Sequence, residues 1–101
     1  MLMEYTRPSE SGFTIYSKSG CLQCSKAKTL LQDNKLTFNV VDCDEYILED
    51  KQSFLLFMNS MAHRDIKAFP MIFYDGTFIG GYTETKEHVA KLTCFDDNLY
   101  F

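Results

Sequence analysis

Apolar residues recur along the chain in two rhythms, one of strands and one of helices. Phe13, Thr14, Ile15 and Tyr16 are all β-favouring and predict a short first strand. The stretch before them, Met1 to Gly12, contains Pro8, Ser9, Ser11 and Gly12 and reads as a loose, flexible arm. Ser19-Gly20 breaks the strand. From Leu22 to about Asn34, Leu22, Ala27, Leu30 and Leu31 recur at helical spacing among Lys26, Lys28, Gln32 and Asp33, which predicts an amphipathic helix with Cys21 at its N-terminus. Leu36, Phe38, Val40 and Val41 predict a second strand that runs into the acidic stretch Asp42 to Asp50. Phe54, Phe57, Met58 and Met61 lie three or four residues apart and mark a second helix. Beyond the polar stretch His63 to Lys67, the run Phe69 to Tyr74 predicts a buried strand, Asp75-Gly76 a hairpin turn, and Thr77 to Ile79 its partner. Thr83 is expected to cap a last helix, since Glu84 and Glu87 follow in its first turns, where the helix dipole favours negative charge. The order β-α-β-α-β-β-α predicts an α/β domain with a small mixed sheet and helices on both faces.

Composition narrows the function. With 101 residues, 46% of them hydrophobic, the chain is expected to form one domain over residues 13–101. No apolar run approaches the roughly 20 residues of a membrane span, and the opening residues lack the apolar core of a signal peptide. A soluble, cytoplasmic protein with no membrane partner is the expectation. A net charge of −4 argues against general nucleic-acid binding, which needs a basic face to displace counterions. Four cysteines without a secretion signal point to metal or redox chemistry rather than to a disulfide framework.

The placement of Cys21-Leu22-Gln23-Cys24, after a strand and opening a helix, favours thiolate chemistry. Unpaired backbone N–H groups and the positive end of the dipole stabilise a thiolate at Cys21 and lower its pKa from about 8.5. Cys24, one turn on, lies over the same face and can close on Cys21 with little backbone movement. Half a zinc site is the alternative. Its remaining candidates, Cys43, Cys94, His63 and His88, are scattered and form no second pair at ligand spacing, so no metal is assigned. Lys18, Lys26, Lys28 and Lys35, opposed only by Asp33, leave a local positive patch that favours a thiolate and an anionic partner. Lys26 and Lys35 read as ordinary solvated lysines, whereas Lys18 stands in the turn just before the thiol. Cys43 is expected to be a small buried hydrophobe. Cys94, past the last helix, is a candidate for an adduct or an intermolecular disulfide, and His63 and His88 are expected at the polar surface.

Three separated motifs carry a resemblance to a known family. Phe13-Thr14-Ile15-Tyr16-Ser17-Lys18-Ser19-Gly20-Cys21-Leu22-Gln23-Cys24 resembles the strand, basic turn and active-site motif of the glutaredoxins. Phe69-Pro70 with Met71-Ile72-Phe73 is similar to that family's cis-proline strand, and Ile79-Gly80-Gly81-Tyr82-Thr83-Glu84 to its glycine-pair motif. The resemblance covers about residues 13 to 92 and implies a thioredoxin-like fold, a four-stranded mixed sheet flanked by helices. It further implies that Cys21 is the nucleophile and Cys24 the resolving thiol. Pro70 would be cis, turning the Phe69 backbone toward the site to pair with the peptide of glutathione. Lys18 would bind the glycine carboxylate of glutathione. Tyr82 and Thr83 would hold its γ-glutamyl end, with the carboxylate on helix N–H groups, and Gln23 and Gly81 complete the set.

The chain departs from the family pattern in three places. Leu22-Gln23 stands where glutaredoxins usually carry Pro-Tyr, and resembles instead the glutaredoxin-like hydrogen donors of ribonucleotide reductase that thioredoxin reductase recharges. Those donors typically lack the glycine pair that this chain keeps. Ala68 replaces a usual threonine, and the stretch from Asn59 to Lys67 is longer and more polar than the family pattern. The resemblance therefore implies a glutathione-dependent thiol–disulfide oxidoreductase, acting as a monomer on protein disulfides and glutathione mixed disulfides, with ribonucleotide reductase among its clients. A thioredoxin-reductase-dependent donor and a carrier of a glutathione-ligated iron–sulfur cluster are the alternatives.

Overall fold

The computed structural model describes residues 4–93 of the chain. Strand β1 (Phe13–Ser17) is followed by helix α1 (Leu22–Asp33), strand β2 (Phe38–Asp42), helix α2 (Asp44–Ala62), the hairpin β3 (Met71–Tyr74) and β4 (Thr77–Gly80), and helix α3 (Tyr82–Thr93). The four strands form one sheet in the order β2-β1-β3-β4. β1 runs parallel to β2, with Ile15 opposite Val40, and antiparallel to β3, with Ile15 opposite Ile72. Every β1 residue is buried, as expected of a central strand covered on both faces. Phe13, Ile15 and Ile72 pack with Ala27 and Leu31 of α1 and Val89 of α3. Tyr16, Met71 and Phe73 point the other way, onto Phe54 and Met58 of α2. The period of two along the strands thus divides the core between the two faces of the sheet.

The element order agrees with the sequence reading, and the differences have local causes. The acidic stretch after β2 is helical from Asp44, because Asp44 and Glu45 occupy the first turn of α2 where its dipole favours them. α2 kinks at Asp50, whose carboxylate accepts the Ser53 N–H (3.1 Å) and hydroxyl (2.9 Å) and so caps the second helical segment. β3 begins at Met71 rather than Phe69, since Pro70 has no N–H to give to a ladder. The Asp75-Gly76 turn is as expected, with both residues at positive φ (51° and 84°), the conformation of a two-residue type I′ hairpin.

The described part of the opening arm lies against the domain: Tyr5 packs its ring on Tyr46, Phe54 and Phe57, and the Ser9 N–H donates to the Thr14 hydroxyl (3.0 Å). Two further expectations need correction. His88 is half-buried between the rings of Phe13 and Tyr74, where its Nε2 has no hydrogen-bond partner among the described residues, rather than standing at a polar surface. Thr83 is not the cap of α3; Gly81 is, as its carbonyl accepts the Thr85 N–H (3.0 Å). Cys94 lies outside the described residues.

Candidate active site

Cys21 occupies the N-cap of α1, with extended backbone (φ −103°, ψ 104°), and its sulfur accepts the Cys24 N–H at 3.1 Å. Cys21 and Cys24 are joined in a disulfide with a Cα separation of 5.3 Å, within the usual range for such a bridge. The two sulfurs differ in access. Cys21 is partly exposed and Cys24 only 1% exposed, so an incoming group meets Cys21 first. No acidic residue stands in the first turn of α1, which leaves the positive end of its dipole to act on that sulfur.

The turn before Cys21 is fixed from the far side of the sheet's edge. Asp44, at the start of α2, accepts the Ser19 N–H (2.8 Å) and also the Ser19 hydroxyl. These bonds, together with the nearby Lys18 ammonium, hold the Asp44 carboxyl below its ordinary pKa. Gly20 follows at φ +71°, a conformation that glycine adopts without penalty. The Lys18 side chain is exposed and its ammonium lies 5.5 Å from the centroid of the Phe69 ring.

The Phe69–Pro70 peptide bond is cis. It forms part of an open groove of about 400 Å³ that Gln23, Phe69, Pro70, Gly81, Tyr82 and Thr83 all line. The structure thereby brings together six of the seven residues counted to a glutathione site, while Lys18 stands just beyond, at the Phe69 ring. The first glycine of the pair has a steric reason: Gly80 has φ +130°, and a Cβ there would lie 2.6–2.9 Å from the Glu84 side chain, whereas one at Gly81 would meet the Pro70 carbonyl oxygen at 3.5 Å, an ordinary contact.

Residues that the sequence reading did not assign also shape the groove. Glu84 reaches back from the first turn of α3 to accept the Gly81 N–H (2.9 Å), half of a capping box. That bond, a further one from its own backbone N–H and the charge of Arg64 hold the Glu84 carboxyl below its usual range. The spacing Gly81-x-x-Glu84 was the available signal. Arg64 and Lys67 line the groove as well, from the polar stretch in which no periodicity points to a role. Cys43 is fully buried, as expected, and burial pushes its thiol up to about 12, so it is inert at neutral pH. No cluster of three or more potential metal ligands occurs among the described residues.

A dithiol at a helix cap can exchange disulfides, and comparison with known proteins supplies the lineage. The sequence profile of the glutaredoxins matches residues 13–79. The chain belongs to the glutaredoxin family. Among curated relatives, this glutaredoxin is 36% identical over 77 residues to human Glutaredoxin-2, mitochondrial, covering 76% of the present chain but only 44% of the relative. It thus spans under half the length of that protein. It is 28% identical over 79 residues to the Glutaredoxin-like protein NrdH of Lactococcus lactis, covering 78% of the present chain and 96% of the relative. Among solved structures, Glutaredoxin 1 from Francisella tularensis, complexed with cacodylate, superposes with a TM-score of 0.69 at 32% identity, over 79% of this chain and 93% of that one. The fold is thioredoxin-like, and membership of the family supports thiol–disulfide oxidoreductase activity.

Proposed function

We propose that this glutaredoxin uses glutathione to reduce protein disulfides and glutathione mixed disulfides through Cys21 and Cys24. The observation that carries the reading is the partly exposed Cys21 at the cap of α1, in the same motif as Gln23, which lines a groove with Phe69, Pro70 and Tyr82. On a glutathione mixed disulfide, the Cys21 thiolate attacks the glutathione sulfur and the client leaves as its thiolate. A second glutathione thiolate then attacks the Cys21 adduct, releasing glutathione disulfide and regenerating the Cys21 thiolate. On a protein disulfide, Cys21 forms the mixed disulfide and the Cys24 thiolate displaces the client, which leaves reduced. The resulting Cys21–Cys24 disulfide takes two electrons from two glutathione molecules. Glutathione is anionic at both ends, so its site needs cations or backbone donors at both ends of the groove. Lys18 supplies one. Ribonucleotide reductase is the client we favour, with the protein acting as a cytoplasmic monomer.

A second reading has its own support. Leu22-Gln23 differs from the usual Pro-Tyr, and the NrdH relative matches over nearly its whole length; both suit a donor recharged by thioredoxin reductase. Reduction of the Cys21–Cys24 disulfide should be followed with glutathione plus glutathione reductase and, in parallel, with thioredoxin reductase. Turnover with glutathione is the expected result. Turnover with thioredoxin reductase alone replaces the first reading by the second.

A further inference from the structure

The segment ahead of β1 is tied to the domain at two places. Next to the strand, the Gly12 N–H donates to the Asp75 carboxylate (2.7 Å) and the Gly12 carbonyl accepts the Asp75 N–H (2.9 Å). Farther from it, two tyrosines hold Thr6: its N–H donates to the Tyr46 hydroxyl (3.2 Å), and its carbonyl accepts the Tyr16 hydroxyl (2.5 Å). Tyr16 is fully buried in β1, so the second bond pairs a hydroxyl that is costly to leave unpaired in the core. Beside Thr6, the Tyr5 ring packs on Tyr46, Phe54 and Phe57 at centroid distances of 5.0, 5.5 and 5.0 Å.

The ring contacts continue to the groove. Phe54 is fully buried and meets the Tyr5 ring edge-on, while it stacks on Phe69 with centroids 6.3 Å apart and planes 8° from parallel. Both distances lie in the range where aromatic pairs attract. Phe69 lines the groove and carries the Lys18 ammonium over its ring. Because β3 begins only at Met71, the sheet ladder does not hold Phe69, and its place depends on what its ring touches. A close-packed interior has no slack, so removing a ring from one side of Phe54 shifts the neighbours that remain.

We propose that Tyr5 is a positioning residue for the groove: through Phe54 it sets the place of Phe69, so the opening arm takes part in recognising the glutathione moiety of a mixed disulfide without touching it. The proposal rests on the glutathione reading above. The contacts are those of the ring rather than of the hydroxyl, so phenylalanine should substitute for Tyr5. Cys21 stands outside this path, since its sulfur is held by the Cys24 N–H and the turn before it by Asp44. Loss of the Tyr5 ring therefore separates recognition in the groove from formation of the thiolate.

The test uses one peptide carrying either glutathione or β-mercaptoethanol as its mixed disulfide, mixed with an excess of the reduced protein while release of the peptide thiol is followed. The ratio of the two second-order rate constants reads the groove, and iodoacetamide labelling of Cys21 reads the thiolate. Tyr5→Ala should lower the ratio about fivefold and leave the labelling rate within about twofold. Tyr5→Phe should keep the wild-type ratio. Tyr5→Leu, which keeps the apolar bulk and with it the fold, should lower the ratio about two- to threefold. Val89→Ala opens a cavity in the cluster on the other face of the sheet and should leave the ratio unchanged. An unchanged ratio with Tyr5→Leu, or an equal fall with Val89→Ala, overturns the proposal and leaves the glutathione reading standing. A wild-type ratio near unity overturns the glutathione reading, and the proposal with it.

Discussion

Helices α1 and α3 both open onto the groove, and they are capped by different chemistry. At α1 the cap is the Cys21 sulfur, which accepts the Cys24 N–H, and no carboxylate stands in the first turn. At α3 the cap is Gly81, and Glu84 in the first turn accepts its N–H. The α3 end is thus largely answered by its own carboxylate, whereas the α1 end keeps its partial positive charge for whatever forms on Cys21. A helix N-terminus is the same electrostatic object in both places. One is spent on structure and the other is left for chemistry.

The largest break in this contrast is removal of the sulfur itself. Cys21→Ser should reduce turnover of every disulfide substrate to background, while Cys24→Ser should keep the reduction of glutathione mixed disulfides and lose that of protein disulfides. Steady-state assays on both substrate types check this. Next in size is the scaffold of the α3 end. Gly80→Ala forces a Cβ against Glu84 at a φ that L-residues rarely adopt, and should cost about 1–3 kcal/mol of stability in denaturant titration.

Much of this contrast was legible in the sequence. The α1 cap announces itself because Ser19-Gly20 ends a strand and Cys21 immediately precedes a helical pattern, so local chemistry alone places the sulfur. By residue type the sequence points to Thr83 as the α3 cap, since threonine is the better cap; Gly81 and Glu84 prevail because Gly80, having no Cβ, leaves room for the Glu84 side chain to fold back. Arg64 was invisible. Its position depends on the left-handed turn at His63 and on Asn59, contacts that carry no hydrophobic period. The kink at Asp50 was hidden for the same reason, as a capping residue inside an acidic run looks like any other solvated charge.

A smaller change would make α1 resemble α3. Gln23→Glu places a carboxylate in the first turn of α1, which should raise the Cys21 pKa and slow its alkylation at neutral pH by roughly two- to fivefold. The smallest effect belongs to Glu84→Gln. Because the folded-state pKa of Glu84 is lowered, its stabilisation is present above the ordinary value of 4.5 and is lost as pH falls through the lowered one. The variant should flatten that acid limb. The exposed position of Glu84 keeps the change below about 1 kcal/mol, to be read from denaturation midpoints across mildly acidic pH.

The central claim is that Cys21 is the thiolate of the reduced protein because α1 leaves its N-terminus to it. Alkylation of the fully reduced protein, resolved by residue with mass spectrometry across a pH series, tests this directly. The account predicts that Cys21 is labelled before Cys24 and Cys43, with a midpoint well below the roughly 8.5 of a free cysteine. Labelling of Cys24 first, or a Cys21 midpoint at or above that value, would contradict it.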